Sequence, residues 1–232
     1  MLGLARSRVV VVQARMGSTR LPGKVLERVG SVPLLAFLLR RLAPLKPECD
    51  LVVATSDLSR DEAIVEVAEA EGVSVSRGSE SDVLDRFVRA AAPLSPEVVV
   101  RLTADNPCVD AALVKRALGV WEAAPPTPYL LTHEGGYPHG LTVEVVSWKA
   151  LNEAWQSARQ PEDREHVTKW IRERPERWPH VAPRAPFATR GISLTVDTAD
   201  DLQMLRSLDN RAGGKLITLG HAEIISLAAR AN

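Results

Sequence analysis

Between Gln13 and Lys24 the sequence sets three cations (Arg15, Arg20, Lys24), two hydroxyls (Ser18, Thr19) and two glycines (Gly17, Gly23). Glycines let a backbone turn tightly and approach a ligand closely, and successive amide N–H groups in such a loop form a concave anion site. Fixed cations neutralise the charge that the amides leave, so this stretch favours binding a polyanion such as a phosphate chain. Its glycine spacing matches neither G-x-x-x-x-G-K-[ST] nor G-x-G-x-x-G, which excludes an ATPase-type P-loop and a dinucleotide fingerprint. Far along the chain, Asp105 and Asp197 each stand at the end of an apolar, β-branched run. Two such carboxylates could hold Mg²⁺, which takes few protein ligands and completes its octahedron with water and phosphate oxygens. Loop and acids together fit attack by a substrate oxygen on a nucleotide phosphorus, where positioning and charge neutralisation provide most of the catalysis. Capping of the next helix explains Asp197 as well, and a turn through Asp105-Asn106-Pro107 explains Asp105, so the reading rests on the pair and the loop together.

The elements that must position these groups follow from pattern. Val9, Val10, Val11 and Val12 read as a strand buried on both faces, leading straight into the loop. A buried helix over 32–43 has Pro33 in its first turn, and Asp50–Ser56 is a second buried strand. A helix over 61–71 stops at Gly72, a short strand covers 73–76, and Ser81 caps a helix running through Ala92. A strand over 97–102 and a helix capped by Asp110, running to about Ala123 and ended by the proline-rich 124–128, complete the alternation. This rhythm predicts an α/β fold with a doubly wound, mainly parallel sheet in three layers, Rossmann-like, with ligands outside the carboxyl ends of the strands. Thr103, Ala104 and Asp105 then share an edge with the Gln13 loop.

Beyond 128 the character changes. Leu141, Val143 and Val145 alternate with polar residues, which predicts half-exposed strands within 129–146, joined as a wide hairpin or lid. Helices are expected over 147–158, 162–174 and 215–230, with a last strand over 192–196 and Thr198 able to cap the helix after it. Four of the five tryptophans (Trp148, Trp155, Trp170, Trp178) cluster here, pointing to an appended lid or dimerisation lobe around 129–185 on a single domain.

With 45% hydrophobic and 25% charged residues over 232 positions, a sizeable core is expected and disorder is not. Lys plus Arg and Asp plus Glu are both 29, so no net field draws the chain onto nucleic acid or an anionic membrane, and any anion site is local. Cys49 and Cys108 fit no metal-binding spacing and read as free thiols in a reducing compartment. The apolar run at the N-terminus is interrupted at Gln13 and Arg15 and lacks signal-peptide architecture, and no run reaches the ~18 apolar residues of a membrane span. A cytoplasmic protein is the expectation.

Residues 13–26 resemble the signature loop of the CMP-sugar synthetase-like cytidylyltransferases, most closely the branch typified by spore-coat polysaccharide biosynthesis protein F. Segments 78–85, 101–110, 140–146, 164–168 and 194–202 occur in the order seen in that branch. The resemblance implies Mg²⁺-dependent transfer of CMP from CTP to a sugar hydroxyl, releasing pyrophosphate, in surface or spore-coat polysaccharide biosynthesis. It places Arg15 and Lys24 on the triphosphate and Asp105 and Asp197 on the metal, with Arg15, Lys24 and Asp105 as the catalytic set. Gln13, Ala14, Gly17, Ser18, Arg20, Arg77, Asp82, Thr103 and Ala104 would join the nucleotide site. Glu144 within Gly140-Leu141-Thr142-Val143-Glu144-Val145, and the run Arg164, Glu165 and His166, would contact the sugar, His166 being a candidate base. An acid is expected where Thr142 stands, so the particular sugar stays open. A homodimer is the expected assembly. Two alternatives remain: a metal-dependent glycosyltransferase, although no Asp-x-Asp pair follows a central strand, and a non-catalytic nucleotide-sugar-binding protein, for which both acids would be unnecessary.

Overall fold

Val9 to Val12 are fully buried in β1 (Arg8–Gln13), Val9 and Val11 packing into one core and Val10 and Val12 into another. A β-branched run without a polar face is stable only where both sides of a sheet are covered, and β1 lies at the sheet's centre. The computed structural model describes residues 7–124, 129–186, 189 and 191–230. After β1 the chain forms a small antiparallel hairpin, β2 (Arg28–Val29) with β3 (Val32–Pro33), then α1 (Leu34–Leu42) and β4 (Asp50–Ser56). There follow α2 (Glu62–Ala70), β5 (Ser74–Gly78), α3 (Val83–Ala91), β6 (Val98–Thr103) and α4 (Ala111–Glu122). The chain continues through β7 (Tyr129–Leu131), β8 (Glu144–Ser147), α5 (Trp148–Ser157), α6 (Pro161–Glu165), α7 (Lys169–Arg172) and β9 (His180–Val181), ending with α8 (Ala199–Arg211) and α9 (His221–Ala229).

The main sheet has the order β5-β4-β1-β6-β8-β7-β9. Strands β5, β4, β1 and β6 are parallel; β8 runs antiparallel to β6. Helices α1, α2, α4, α8 and α9 bury one face of the sheet and α3, α5 and α7 the other, giving three layers. From β1 the chain winds outward through β4 to β5 and then returns to β6 on β1's other side. That reversal between β1 and β6 opens a crevice at their carboxyl ends, the place where open α/β sheets bind ligands. Gln13 and Thr103, the last residues of the two strands, are register partners there.

Several elements differ from expectation. Residues 129–131 and 144–147 are buried strands of the main sheet, not half-exposed ones. Asp82, not Ser81, caps α3, its carboxylate accepting from Asp85 N at 2.9 Å. The helix expected over 162–174 breaks into α6 and α7 around Val167, a fully buried β-branched residue held at φ 45°. The C-terminal helix starts at His221, after a 3₁₀ turn at Leu216–Thr218. Residues 192–196 form no strand; Ser193 makes one isolated bridge with His139, and Leu194 N donates to His139 O at 2.8 Å. Residues 125–128, expected to end α4, lie outside the described residues. Among the described residues no helix is long and apolar enough to cross a membrane.

Candidate active site

The loop after β1 is organised around the peptide of Met16. Its N–H donates to Asp61 Oδ1 at 2.8 Å, and its carbonyl accepts from Ser18 N at 2.9 Å and Gly23 N at 3.0 Å. Gly23 adopts φ 70°, a left-handed conformation natural for glycine, and starts a 3₁₀ turn at Lys24–Leu26 that carries Lys24 inward. Only 8% of Lys24 is exposed. Its Nζ donates to Asp105 Oδ2 at 3.0 Å, Asp197 Oδ1 at 2.8 Å and the carbonyl of Val196 at 2.9 Å, so all three ammonium donors are used.

Asp105 and Asp197 arrive by different routes. Asp105 follows β6; Thr103 Oγ1 donates to its Oδ1 at 2.5 Å, and its carbonyl accepts from Val196 N at 2.8 Å, which ties the two acidic segments together. Asp197 does not cap α8. Thr198 does, in a capping box with Asp201, whose carboxylate accepts from the backbone N–H of both Asp197 and Thr198. The Asp197 side chain is thereby released to Lys24 and to Arg20, whose Nη2 lies 2.9 Å from Oδ2. Among the described residues no group of three or more His, Cys, Asp or Glu side chains is placed to hold a metal. Two hard carboxylates converging on one positive charge, with phosphate and water left to complete the shell, nevertheless fit Mg²⁺. Asp105 and Asp197 are the residues that would hold it.

Twelve residues singled out in the sequence line one cavity of about 240 Å³: Gln13, Ala14, Arg15, Gly17, Ser18, Thr19, Arg20 and Lys24 from the loop, Thr103, Ala104 and Asp105 after β6, and Asp197. A second hollow, of about 590 Å³, adjoins it and shares Arg15; Asp57, Ser79, Glu80, Ser81 and Glu165 are among its walls. Glu165 reaches across from α6 to within 4.0 Å of Arg15 Nη2. The loop leans closely on this wall, since a Cβ on Gly17 would stand 2.8 Å from Glu80 Oε1.

Other flagged residues are engaged elsewhere. Arg77 donates to the carbonyls of Ser56 and Leu58, each at 3.0 Å, and pairs with Glu62. Asp82 and Arg164, expected on nucleotide and sugar respectively, bind each other, Arg164 Nε and Nη2 approaching one Asp82 oxygen at 3.0 and 2.6 Å. Glu144 corrects the sugar-contact expectation most sharply. It is 4% exposed, ion-paired with Arg101, and accepts from the hydroxyls of Thr168 and Tyr129, the latter at 2.7 Å. Burial alone would raise its pKa, but Arg101 and these donors hold it below the ordinary carboxylate range. The same surroundings push Tyr129 up, burial first and the Glu144 charge second. His166 is exposed and lines neither cavity.

Two residues that support the site escaped sequence reasoning. Asp61 read as a helix start, and only its position five residues after Ser56 hints that it could fold back onto the end of β4. Arg101 was visible as a cation inside an apolar strand; it joins Glu144 to Gln13 Oε1, 3.5 Å away.

The family model for cytidylyltransferases matches residues 9–210. The spore coat polysaccharide biosynthesis protein SpsF of Bacillus subtilis (strain 168) is 36% identical over 228 residues, covering 95% of this chain and 93% of SpsF. The uncharacterized protein MJ1063 of Methanocaldococcus jannaschii is 38% identical over 206 residues, covering 85% and 81%. Among solved structures, a cytidylyltransferase from Leptospira borgpetersenii superposes with a TM-score of 0.90 at 28% identity, covering 97% of this chain and 95% of that one. A CMP-2-keto-3-deoxy-manno-octonic acid synthetase complexed with CTP shares the fold (TM-score 0.64, 18% identity, 89% and 99% covered). So does Rv0371C of Mycobacterium tuberculosis H37Rv in complex with manganese (TM-score 0.59, 18% identity, 87% and 98% covered). With the family model spanning most of the chain and a relative matched almost end to end, the chain belongs to the cytidylyltransferase family of nucleotidyltransferase enzymes.

Proposed function

We propose that the protein transfers CMP from CTP to the hydroxyl of a small sugar, with Mg²⁺, in the synthesis of a surface polysaccharide. One observation carries the reading: three cations and two carboxylates from three distant segments share a single cavity at the sheet's reversal point. The triphosphate would lie in that cavity, against Arg15, Arg20, Lys24 and the loop amides. Arg15 also borders the adjoining hollow, which is large enough for the nucleoside and offers the hydroxyls of Ser79 and Ser81. Arg15 is thus placed to orient both halves of the nucleotide.

In this reading the sugar oxygen bonds to the α-phosphorus and its proton passes to solvent water, while the bond from that phosphorus to the bridging oxygen breaks and pyrophosphate leaves. Arg15, Arg20 and Lys24 neutralise the charge that accumulates on the leaving group. Asp105 and Asp197 would hold Mg²⁺, which supplies charge neutralisation at the phosphates when bound. The manganese held by the Mycobacterium neighbour is in keeping with a divalent cation here. The names of SpsF and of the CTP-bound synthetase support the sugar and the base. Pyrophosphate release measured with CTP and a panel of neutral, amino and acidic sugars tests the reading; release in none of them, with CTP bound, would overturn the sugar assignment. A homodimer through the tryptophan-bearing lobe completes the proposal, Trp148 and Trp155 being only half-buried. Light scattering should then give about twice 25.3 kDa, and a monomer mass would reject it.

A further inference from the structure

We infer that Asp61 is a positioning residue for the nucleotide site: one buried carboxylate that suspends the whole phosphate-binding loop from the end of the neighbouring strand. The inference rests on the loop holding the triphosphate, as proposed above. Asp61 is 1% exposed and touches neither cavity, so it has no direct part in binding. Its two oxygens face two structures. Oδ2 accepts from Thr55 Oγ1 at 3.2 Å, Ser56 N at 3.2 Å and Ser56 Oγ at 2.5 Å, all at the carboxyl end of β4. Oδ1 accepts from Met16 N at 2.8 Å. Met16 in turn gathers Ser18 N and Gly23 N on its carbonyl, so the single Asp61–Met16 bond anchors the peptide on which the loop folds. Arg15 precedes that peptide, and Lys24 follows the glycine that bonds to it.

The chemistry of the position favours this role over simple core filling. A carboxylate in a buried place needs donors for both oxygens, and four N–H or O–H groups satisfy it. Burial acts to raise its pKa, but the Ser56, Met16 and Thr55 donors prevail and hold it below the ordinary range, so it is ionised at neutral pH. Its charge also bears favourably on the buried Arg86 guanidinium, which carries the carbonyls of Ser79 and Glu80 at 2.6 and 2.9 Å on the wall of the second hollow. One anion thus braces the loop of the first cavity against the end of β4.

The test compares Asp61→Asn with Asp209→Asn. Asparagine offers one acceptor oxygen in place of two, so it can keep the β4 end or Met16 N but not both. Asp209 is also a buried carboxylate, 8% exposed, accepting from Leu216 N at 3.1 Å, but it braces α8 away from both cavities. Hydrogen exchange of the amides over 14–24 and calorimetric titration with CTP are measured on the full chain for each variant. In D61N the loop amides should exchange at least tenfold faster and the CTP dissociation constant should rise on the order of tenfold, as expected for losing a hydrogen bond to a charged group. D209N should lower the thermal midpoint without either change. If the wild-type chain does not bind CTP, the proposed substrate fails while the exchange data still decide the positioning role. Unchanged exchange over 14–24 in a folded D61N would overturn the inference, as would equal loosening in D209N. Should D61N not fold, Ser56→Ala removes the shortest bond to Asp61, together with the acceptor for Leu58 N at 3.2 Å; it should speed loop exchange severalfold, and no change there would equally overturn the inference.

Discussion

Lys24 Nζ lies 3.0 Å from Asp105 Oδ2, although 81 residues separate them in the chain. The contact joins the loop after β1 to the segment after β6 at the reversal point of the sheet. Lys24→Ala should leave Asp105 and Asp197 facing each other without their shared cation. Removing one partner of a hydrogen-bonded charge pair costs about 2–5 kcal/mol when buried, less where water screens it, as for these acids. A CTP dissociation constant raised on the order of tenfold or more is expected, together with a lower thermal midpoint. An unchanged dissociation constant would remove Lys24 from the phosphate site.

Asp105→Asn keeps the side chain's shape but removes the negative charge, and its one acceptor oxygen can serve Thr103 Oγ1 or Lys24 Nζ but not both. Pyrophosphate release should fall on the order of 10²-fold, the usual effect of losing one electrostatic element of a phosphoryl-transfer or acyl-transfer site. The thermal midpoint should fall less than in Lys24→Ala, since Asp197 still holds the ammonium. Full activity in the folded variant would eliminate the metal role.

Gly140 has φ 91°, and a Cβ there would stand 2.2 Å from the carbonyl carbon of Leu194. That backbone leads directly to Asp197. Gly140→Ala should destabilise the fold by about 3 kcal/mol through strain and collision. Residual activity should be lost with it, because Asp197 can no longer reach Lys24. Chemical denaturation and pyrophosphate release measured on the same sample check both.

Asp61, Asp110 and Glu144 are each buried, which raises their pKa, and each is held below the ordinary carboxylate value by donors or an opposing cation that outweigh burial. In the unfolded chain such groups titrate near pH ~4. On acidification the unfolded state therefore takes up protons first, and the stability these carboxylates contribute is complete above about pH 5 and lost progressively as the pH falls through their lower folded-state values. The thermal midpoint should drop below about pH 4, and Glu144→Gln should flatten that drop. A midpoint insensitive to pH down to about 3 would contradict the assignment.

Much of this was legible in the sequence where one physical cause acts locally. Four consecutive valines admit only a doubly covered strand, Asp110 and Thr198 announced their caps, and Asp105, just past the end of β6, had to meet the Gln13 loop once the sheet was parallel. Residues 192–196 show the limit. Their alternating exposure is real, with Ile192, Leu194 and Val196 buried, but periodicity reports which side faces the core and not whether a ladder partner exists. The break at Val167 was hidden because a left-handed β-branched residue contradicts local preference and is held only by its surroundings. Glu144 was misread because its partners, Arg101, Tyr129 and Thr168, come from three other segments. Asp61 escaped for the same reason: its role is a bond to Met16, 45 residues earlier.

The most direct measurement is calorimetric titration of the purified protein with CTP, UTP, ATP and GTP, with and without Mg²⁺. Selective binding of CTP, strengthened by Mg²⁺ and weakened in Lys24→Ala, is the expected result. Absence of nucleotide binding, or equal affinity for all four with no effect of Mg²⁺, would contradict the assignment of the cavity to the triphosphate of CTP.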